Sequence, residues 1–468
     1  MPEYLDHIVS YVCRTNFKDL PHAVVLRAKE VLADTLSVIA AGAQEGEVKA
    51  LTRRLVDPKA RPVASLIGPG TRTEPLKAAL INGTAGTFLE LDEGNQFGRG
   101  HPGIHVVPAA IAVAEEAHLS GQDLVTALVL GYEIGTRIGI ACKIRMSMHP
   151  HGTWGTVGAA VAVGKLMGYT EAAMREMINV SSSLGLATSR RTMLEGGTVR
   201  NVYSGVSNFM GVLADQFVQS GFSGEADGLG TVYGSVVSDT FNSEVMTDEL
   251  GERFEIARNY FKMHACCRYN HGTLDALEKI LAQRPLKADE VESVVVETYS
   301  LAAQLCDRNP QNMLAAKFSI PFAVATLIVH GRTDVPCFAP EAVRNDAVQA
   351  LAKRVEVKED PKLTAMMPAR RPSRVRVTLK SGETLGAEVT MNKGDFEDPY
   401  GPVELEKKYF SLADLVWGHA KAEQIHAQVM EVEKVKDINQ VTSLIAPISS
   451  PSSGGRATKS FPSPGGRG

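Results

Sequence analysis

The sequence predicts a mainly α protein with a smaller α+β domain, and three observations support this fold class. Apolar residues recur at helical spacing through most of residues 1–268. After about residue 270, β-branched runs and one alternating hairpin pattern appear. Helical spacing then returns over residues 403–445. We therefore expect a helical domain over 1–268, an α/β domain over 269–402 and C-terminal helices over 403–445 that return to the helical domain.

Several segments of the first domain have the spacing or composition of packed helices. Residues 20–43 place apolar side chains at helical intervals, and residues 74–92 are rich in Ala and Gly. The segment IHVVPAAIAVAEEAHLSG ends at a glycine, a common helix stop signal. Because GQDLVTALVLGYEIGTRIGIA and GTVGAAVAVGKLMG are nearly apolar throughout, we expect them to be buried helices.

The second domain begins with strand signals. VESVVVETYS, at residues 291–300, is a β-branched run, and SRVRVTLKSGETLGAEVTM, at residues 373–391, alternates around a Ser-Gly turn. DFEDPYGP, at residues 395–402, marks the predicted boundary with the returning helices. Residues 446–468 are rich in Pro, Ser, Gly and Arg, so we expect a disordered tail.

The composition excludes several classes of function. The chain has 468 residues, of which 44% are hydrophobic and 22% charged, as in ordinary soluble domains. Its net charge of −4 gives no basic field, so we expect no nucleic-acid partner. We find no apolar run that reaches the ~18 to 20 residues of a membrane span, and the N-terminus does not read as a signal peptide. The six cysteines include no CxxC pair, which favours free thiols and a cytoplasmic location.

The stretch ELDEGNQFGRGHPGIHVVP, at residues 90–108, is the most polar segment between two predicted helices. His101 and His105, with Asp92, have a spacing that could bind zinc. A solvated surface loop and a catalytic loop that holds an acidic substrate are the alternatives. Pro102 directly follows His101, which suits a loop entering a helix better than a metal site within one.

Three further clusters combine histidine, lysine and arginine. In KIRMSMHPHGTWGTVG, His149 and His151 precede a helix start whose N–H groups attract carboxylates. In SRRTMLEGGTVRNVYSG, Arg200 lies near Tyr203, and an arginine fork matches a carboxylate. Surface turns or loops are the alternatives for both.

The fourth cluster, FKMHACCRYNHG, contains Lys262 and Arg268 around two adjacent cysteines. That spacing supplies neither a zinc site nor an iron–sulfur site. GLGTVYG, at residues 228–234, resembles a dinucleotide fingerprint but does not follow a predicted strand. If the four loops converge, they form a cationic pocket without metal or cofactor, suited to a substrate with several carboxylates.

These four loops resemble those of the MmgE/PrpD family, which includes 2-methylcitrate dehydratase, cis-aconitate decarboxylase and iminodisuccinate epimerase. The resemblance lies in ELDEGNQFGRGHPG, SMHPHGTWGTVGAAVAVGKLMG, GGTVRNVYSGVSNFMGVLA, KMHACCRYNHGTLDAL and AAKFSIPFAVATLIVHG, and covers roughly residues 5–435. It implies an all-helical domain formed by both chain ends, an inserted α/β lid domain, a homodimer, and a site between the domains.

The resemblance also implies roles for particular residues. The matching positions for catalytic or substrate-binding groups are Asp92, His101, His149 and Lys262. We expect the substrate to be bound by Arg200, His151, Tyr203 and Arg268. Two positions depart from the family pattern: Arg200-Asn201-Val202-Tyr203 replaces a lysine-led segment that ends in histidine, and Phe322 stands where some members have tyrosine. Because arginine stays charged, Arg200 is expected to clamp a carboxylate.

The expected function is that of a metal-independent lyase for a small di- or tricarboxylate, of the 2-methylcitrate dehydratase type. Decarboxylation, epimerisation and a non-catalytic carboxylate-binding role are the alternatives. In the expected mechanism, Lys262 or His101 removes a proton, His149 protonates the leaving group, and Asp92 orients His101. The sequence leaves open which carboxylate is used and which residue is the base.

Overall fold

The computed structural model describes residues 2–447, and most of these residues lie in helices. The longer helices are α1 (Glu3–Arg14), α2 (His22–Gly42), α3 (Gly46–Leu55), α4 (Pro75–Phe88), α5 (Pro102–Glu116), α6 (Gly121–Ala141), α7 (Trp154–Leu166), α8 (Glu171–Ser182), α9 (Tyr203–Gln219), α10 (Arg268–Gln283), α11 (Ile320–His330), α12 (Pro402–Trp417) and α13 (His419–Met430). The mainly α class expected from the sequence is therefore present.

Short helical turns connect these elements. They are Phe17–Asp19, Arg191–Leu194, Thr198–Val202, Gly228–Thr231, Val232–Val236, Ser243–Met246, Glu255–Arg258, Ser300–Ala303, Met313–Lys317, Val335–Phe338, Pro340–Val343, Asp346–Ala352, Pro361–Thr364, Val432–Lys434 and Asn439–Ile445. The strands are β1 (Ala64–Leu66), β2 (Thr71–Thr73), β3 (Gly94–Asn95), β4 (Cys142–Ile144), β5 (Ser238–Phe241), β6 (Asn259–Tyr260), β7 (Val291–Thr298), β8 (Val355–Glu359), β9 (Ser373–Leu379) and β10 (Thr384–Val389).

The helical core is built around α5, α6, α7 and α9, which pack against one another. Glycines set the spacing of α6 and α7: a Cβ on Gly131 would lie 2.5 Å from the carbonyl oxygen of Gly158. The start of α6 is capped by Ser120, whose side chain accepts a hydrogen bond from the backbone N–H of Asp123. The two nearly apolar segments expected to be buried helices are α6 and α7, and both are buried along almost their whole length.

The expectation that no segment reaches membrane-spanning length was wrong for α6. Among the described residues, α6 is the one helix that is long and apolar enough to cross a membrane. Its most apolar 18-residue window is 94% buried inside the protein, as in the core helix of a folded domain. The apolar character of α6 is therefore explained by its contacts with α5 and α7.

Four strands form the only larger sheet in the described part of the chain, in the order β10-β9-β7-β8. The predicted hairpin forms as the antiparallel pair β9–β10, with Thr378 opposite Thr384. β7 pairs in parallel with β8 and antiparallel with β9. Along β9, inward-facing residues alternate with more exposed ones, because α10 packs on one face of this sheet.

The C-terminal helices α12 and α13 pack against α2, near the beginning of the chain. Lys408 on α12 forms a buried ion pair with Asp34 on α2 and donates a hydrogen bond of 2.8 Å to the carbonyl oxygen of Leu91. The boundaries near residues 268 and 402 stay predictions. The predicted tail lies outside the described residues from residue 448 onward, but Ala446, its first residue, is buried.

Apolar side chains form two large clusters. The first lies among α1, α2 and α4–α9 and includes residues of α12 and α13. The second centres on α10, α11 and the four-stranded sheet, and it also includes Leu89 and Leu91. Glu90 lies between these two leucines with a φ of +56°, and its carboxylate faces Arg200 and Lys262.

Candidate active site

The stretch at residues 90–108 is buried, so the alternative of a solvated loop was wrong. Glu90, Asp92 and Glu93 are at most 2% exposed. The first part of the stretch is a loop that leaves the end of α4, pairs briefly with β6 through β3, and ends at His101, the N-cap residue of α5. Buried carboxylates need charged or hydrogen-bonding partners, and these partners define the site.

The geometry does not favour the zinc alternative for His101 and His105. The Nδ1 of His105 lies 2.7 Å from the carbonyl oxygen of His101, and its Nε2 accepts a hydrogen bond from the backbone N–H of Gly152. Both ring nitrogens are therefore used within the protein. Across residues 2–447, the one group of three side chains spaced for a metal ion is His264, Asp275 and Glu278, and none of them lines the cavity described below.

His101 presents a free Nε2 because two acceptors hold its other nitrogen. Nδ1 lies 2.7 Å from the carbonyl oxygen of Glu93 and 3.1 Å from a carboxylate oxygen of Asp92. A carbonyl oxygen only accepts, so Nδ1 carries the hydrogen and the neutral ring has its lone pair on Nε2. Burial, followed by the nearby charge of Lys262, lowers the pKa of His101 well below its ordinary value.

His149 has the opposite tautomer. Its Nδ1 accepts a hydrogen bond of 3.1 Å from the backbone N–H of His151, so the neutral ring carries its hydrogen on Nε2. Burial, followed by the charge of Arg200, lowers the pKa of His149 well below its ordinary value. The cavity is therefore lined by one histidine with a proton-accepting nitrogen and one with a proton-donating nitrogen.

His151 lies at the centre of a group of four histidines. Its ring centroid is 4.6 Å from that of His101, 4.8 Å from that of His149 and 5.0 Å from that of His105. Its buried Nδ1 has no hydrogen-bond partner in the part of the chain that the structure describes. Burial lowers the pKa of His151 well below its ordinary value, so the group is neutral.

A second row of charges lies behind His101. The ammonium of Lys262 is 3.3 Å from a carboxylate oxygen of Asp92 and 3.8 Å from one of Glu90, and Arg200 pairs with the other oxygen of Glu90. Lys262 and Asp92 do not line the cavity. The structure therefore places these two predicted catalytic residues where they hold His101 and Glu90, with no direct access to the cavity.

The four predicted loops meet around one cavity of about 50 Å³. It is lined by Glu90, Arg99, Gly100, His101, His149, Pro150, His151, Arg190, Met193, Arg200, Tyr260, Cys267, Arg268, Tyr269, Phe318 and Arg371. Pockets for small molecules usually begin at about 300 Å³. A tricarboxylate therefore needs these walls to move apart.

Arg371 is the most informative residue that the sequence did not single out. It is 4% exposed, lines the cavity, and has no carboxylate within 4.0 Å among the described residues. Its Nη2 donates to the carbonyl oxygen of Gln96 at 3.1 Å, whereas Nε and Nη1 are buried without a partner. A buried, unneutralised guanidinium is costly, so this geometry favours an anion in the cavity.

Tyrosine rings separate the arginines on this wall. Arg190 and Arg371 lie 5.9 Å and 5.6 Å from the ring of Tyr269, and Arg371 and Arg268 lie 5.6 Å and 4.6 Å from the ring of Tyr260. These cation–π contacts hold the guanidinium groups apart. The order is Arg190, Tyr269, Arg371, Tyr260, Arg268. Tyr260 lies just before the fourth loop, and Tyr269 lies within that loop but was not singled out.

Arg268 and Tyr203 were expected to bind the substrate, but both make contacts with other side chains of the protein. Arg268 lines the cavity but is already paired with Asp395 at 2.7 Å, and it donates to Nδ1 of His271 at 2.9 Å. Tyr203 does not line the cavity, and its ring packs 5.9 Å from that of His149. Tyr203 therefore supports His149 from behind.

Phe318 is the aromatic residue that reaches the cavity near Phe322, the second position that departs from the family pattern. Its ring lies 5.2 Å from the guanidinium of Arg200, and it lines the cavity. Phe322 is fully buried against Phe338, with ring centroids 5.9 Å apart, and does not reach the cavity. This departure from the family pattern therefore lies outside the cavity lining.

Known proteins match the chain along nearly its whole length. It is 25% identical to the cis-aconitate decarboxylase-like protein oryM of Aspergillus oryzae, covering 94% of this chain and 96% of that protein. It is 23% identical to a cis-aconitate decarboxylase of Aspergillus terreus, covering 92% and 94%. It is 24% identical to the human cis-aconitate decarboxylase, covering 91% of each chain.

Two family models match consecutive parts of the chain. The MmgE/PrpD N-terminal domain matches residues 6–240, and the MmgE/PrpD C-terminal domain matches residues 264–434. These ranges contain every residue that lines the cavity except Tyr260, which lies between the two ranges. The two matches, together with the relatives above, show that the chain belongs to the MmgE/PrpD family.

Proposed function

We propose that this protein is a lyase for a small tricarboxylate. The observation that carries the proposal is the charge of the cavity wall, which has five arginines and one glutamate. Arg200 is paired with Glu90 and Arg268 with Asp395, whereas Arg371 and Arg190 have no carboxylate partner within the described residues. An acid with several carboxylates would supply the missing partners.

Decarboxylation of a cis-aconitate-like acid is the first reaction that we propose. The names of the relatives support it, and so does the chemistry of the wall. When the bond to a carboxylate on an allylic CH₂ breaks, CO₂ leaves and the electron pair spreads over the allyl system to the carbon beside another carboxylate. That carboxylate gains negative charge, which nearby guanidinium groups stabilise. A proton added to this carbon completes an unsaturated dicarboxylate.

Dehydration of a 2-hydroxy tricarboxylate is the second candidate, and the two histidine tautomers favour it. Dehydration needs a base for the α-proton and a donor toward the departing hydroxyl. Nε2 of His101 can accept the proton, and Nε2–H of His149 can donate to the hydroxyl oxygen. The names of the relatives favour decarboxylation instead. We therefore rank the 2-methylcitrate dehydratase type, which was expected first from the sequence, behind decarboxylation.

His101 is the proton carrier in both proposed reactions. Its Nδ1–H stays on the Glu93 carbonyl oxygen, and Asp92 faces the imidazolium that forms when Nε2 binds a proton. In dehydration this proton comes from the α-carbon of the substrate. In decarboxylation Nε2 first takes a proton from solvent and gives it to the allylic carbon after CO₂ has left. His149 keeps Nδ1 on the N–H of His151, so it acts only through Nε2–H. Lys262 neutralises Asp92 and Glu90 from behind. None of these steps needs a metal ion.

Proton NMR in D₂O with EDTA tests the proposal. The protein is mixed separately with cis-aconitate, citrate and 2-methylcitrate, and His101→Asn serves as the matched inactive control. A new unsaturated dicarboxylate carrying one deuterium would support decarboxylation, and loss of the hydroxy acid would support dehydration. An unchanged spectrum in every tube, with folded protein, would contradict both and favour a non-catalytic carboxylate-binding protein.

A further inference from the structure

A second cavity, which we call the Lys317 cavity, lies behind the wall of the candidate active site. Its volume is about 360 Å³, within the range of small-molecule pockets. It is lined by Glu45, Gly46, Glu47, Phe88, Thr198, Asn201, Gln311, Asn312, Met313, Leu314, Lys317, Pro340, Val343 and Arg344. None of these residues lines the active-site cavity.

The two cavities share one wall. Arg200 and Phe318 line the active-site cavity, and their guanidinium and ring stack at 5.2 Å. Their direct neighbours in the chain, Asn201 and Lys317, line the Lys317 cavity. Residues 200–201 and residues 317–318 therefore each present one side chain to each of the two cavities.

Lys317 is a buried cation without a carboxylate partner. It is 1% exposed, and no carboxylate among residues 2–447 lies within 4.0 Å of its ammonium. Its Nζ donates one hydrogen bond, of 2.9 Å, to the carbonyl oxygen of Phe88. An ammonium has three N–H donors, so two remain for a ligand. Burial lowers the pKa of Lys317 to about 8, although the charges of Glu90 and Glu45 act in the opposite direction.

Asn201 provides a second unsatisfied polar group in the same cavity. Its side chain is 3% exposed, and its Oδ1 has no hydrogen-bond partner within the described chain. The amide can present either its oxygen or its NH₂, because the assignment of these two atoms follows from their partners. Lys317 and Asn201 together form a polar end suited to a carboxylate.

The remaining lining limits the charge of the ligand. Glu45 and Glu47 offset Lys317 and Arg344, so the wall has no excess of cations, unlike the active-site cavity with its five arginines. Apolar surface comes from Phe88, Met313, Leu314, Pro340 and Val343. A tricarboxylate would lack partners for two of its charges here, whereas a single carboxylate on an apolar body fits.

We propose that the Lys317 cavity is a second ligand site, for a small monocarboxylic acid with an apolar body. The carboxylate accepts hydrogen bonds from the Lys317 ammonium and the Asn201 amide, and the body packs against Met313, Leu314 and Val343. The site is separate from the candidate active site, and its occupancy does not depend on the proposed function.

Isothermal titration with isovalerate, hexanoate and benzoate tests the site. The wild type is compared with Lys317→Met and with Lys18→Met, a matched change at an exposed lysine. We expect at least one acid to bind the wild type and Lys18→Met equally, and to bind Lys317→Met at least tenfold more weakly. Saturating citrate should not displace the bound acid. Binding that survives Lys317→Met, that citrate displaces, or that occurs with none of the acids would overturn the proposal.

A labelling experiment on the wild type covers the case in which Lys317→Met does not fold. Cyanate adds to neutral amines, and mass spectrometry measures its addition at each lysine. The bound acid should slow carbamylation of Lys317 at least tenfold and leave Lys18 unaffected. Equal rates at Lys317 with and without the acid would overturn the proposal. Failure of the proposed lyase reaction would appear in the NMR experiment and would leave both of these measurements unchanged.

Discussion

His101 and His149 show how two identical side chains acquire different chemistry. A backbone carbonyl oxygen faces Nδ1 of His101, whereas a backbone N–H faces Nδ1 of His149. The first contact leaves Nε2 as an acceptor, and the second leaves Nε2–H as a donor. The sequence could not separate base from donor, because the contacts that fix each tautomer come from the local backbone conformation.

Replacing His101 with Asn should remove the proton carrier. We expect kcat to fall by about 10²- to 10⁴-fold, the usual contribution of a placed acid or base. His330→Asn, at the exposed end of α11, is the matched control and should retain wild-type turnover. Steady-state kinetics, with circular dichroism to confirm folding, measures both. Near-normal turnover in folded His101→Asn would show that another group moves the proton.

Replacing Arg371 with Met should weaken substrate binding without destabilising the empty protein. Charge-assisted hydrogen bonds contribute about 1.5–3 kcal/mol, so KM for a tricarboxylate should rise about 10- to 100-fold. The melting temperature without ligand should stay level or rise, because an unpaired buried charge is removed. Arg370→Met, which breaks only the pair with Glu397 at the protein surface, is the control. An unchanged KM in Arg371→Met would exclude the arginine from substrate binding.

At the scale of elements, the N-terminal ends of α5 and α7 bring the histidines together. Pro102 starts α5 directly after His101, and the segment containing His149 and His151 leads into α7. A Cβ on Gly155 would lie 2.3 Å from the ring of His105, so only a glycine lets α7 begin this close to α5. The four neutral histidines are therefore close together because the N-terminal ends of α5 and α7 are in contact.

The stability of this group should depend on pH. Because the folded-state pKa of His151 is lowered, its unfolded form binds a proton below about pH 6.5 while the folded form does not. Its contribution to stability is therefore present above that pH and is lost as the pH falls. His151→Phe has no titratable group at this position and does not lose this stability. Its free energy of unfolding, relative to that of the wild type, should therefore rise by up to about 1.4 kcal/mol for each pH unit below pH 6.5.

Urea unfolding between pH 7.5 and 5 measures the difference between His151→Phe and the wild type. His330→Phe, at an exposed histidine, is the control and should follow the wild-type pH dependence. A constant difference between His151→Phe and the wild type would mean that His151 is charged or solvated in the folded protein.

At the scale of the whole molecule, both ends of the chain and the α/β segment meet at the candidate site. Lys408, on α12, is buried, pairs with Asp34 on α2 and donates to the carbonyl oxygen of Leu91. Leu91 lies between the carboxylates of Glu90 and Asp92. The returning helices therefore support the loop that carries the site.

Replacing Lys408 with Met should leave Asp34 buried without its partner. Breaking a buried pair in this way costs about 3–5 kcal/mol, so the free energy of unfolding should fall by that amount. The double variant Lys408→Met with Asp34→Asn removes both charges and should regain part of the loss. Urea unfolding of the two variants and the wild type checks this. Equal losses in the single and double variants would show that the ion pair is not the cause.

Much of the site could be predicted, because chemical identity is local. The four loops were found from runs of His, Lys, Arg and Gly, and all four contribute to the cavity. Arg371 and Tyr260 were missed because each lies outside the four loops, and Tyr269 was missed although it directly follows Arg268 in the fourth loop. Phe322 was named because it departs from the family pattern, whereas Phe318, which lines the cavity, was not singled out, because a sequence does not show which aromatic residue faces a cavity.

The sequence by itself determined the mainly α class, the hairpin, and which residue types could hold a carboxylate, because propensity, periodicity and charge are properties of short segments. Only the tertiary structure decided that Lys262 and Asp92 lie behind His101, that Arg371 is left without a counter-ion, and that Lys317 faces a second cavity. These features depend on distances between segments far apart in the chain, and burial turns those distances into tautomers, unpaired charges and shifted pKa values.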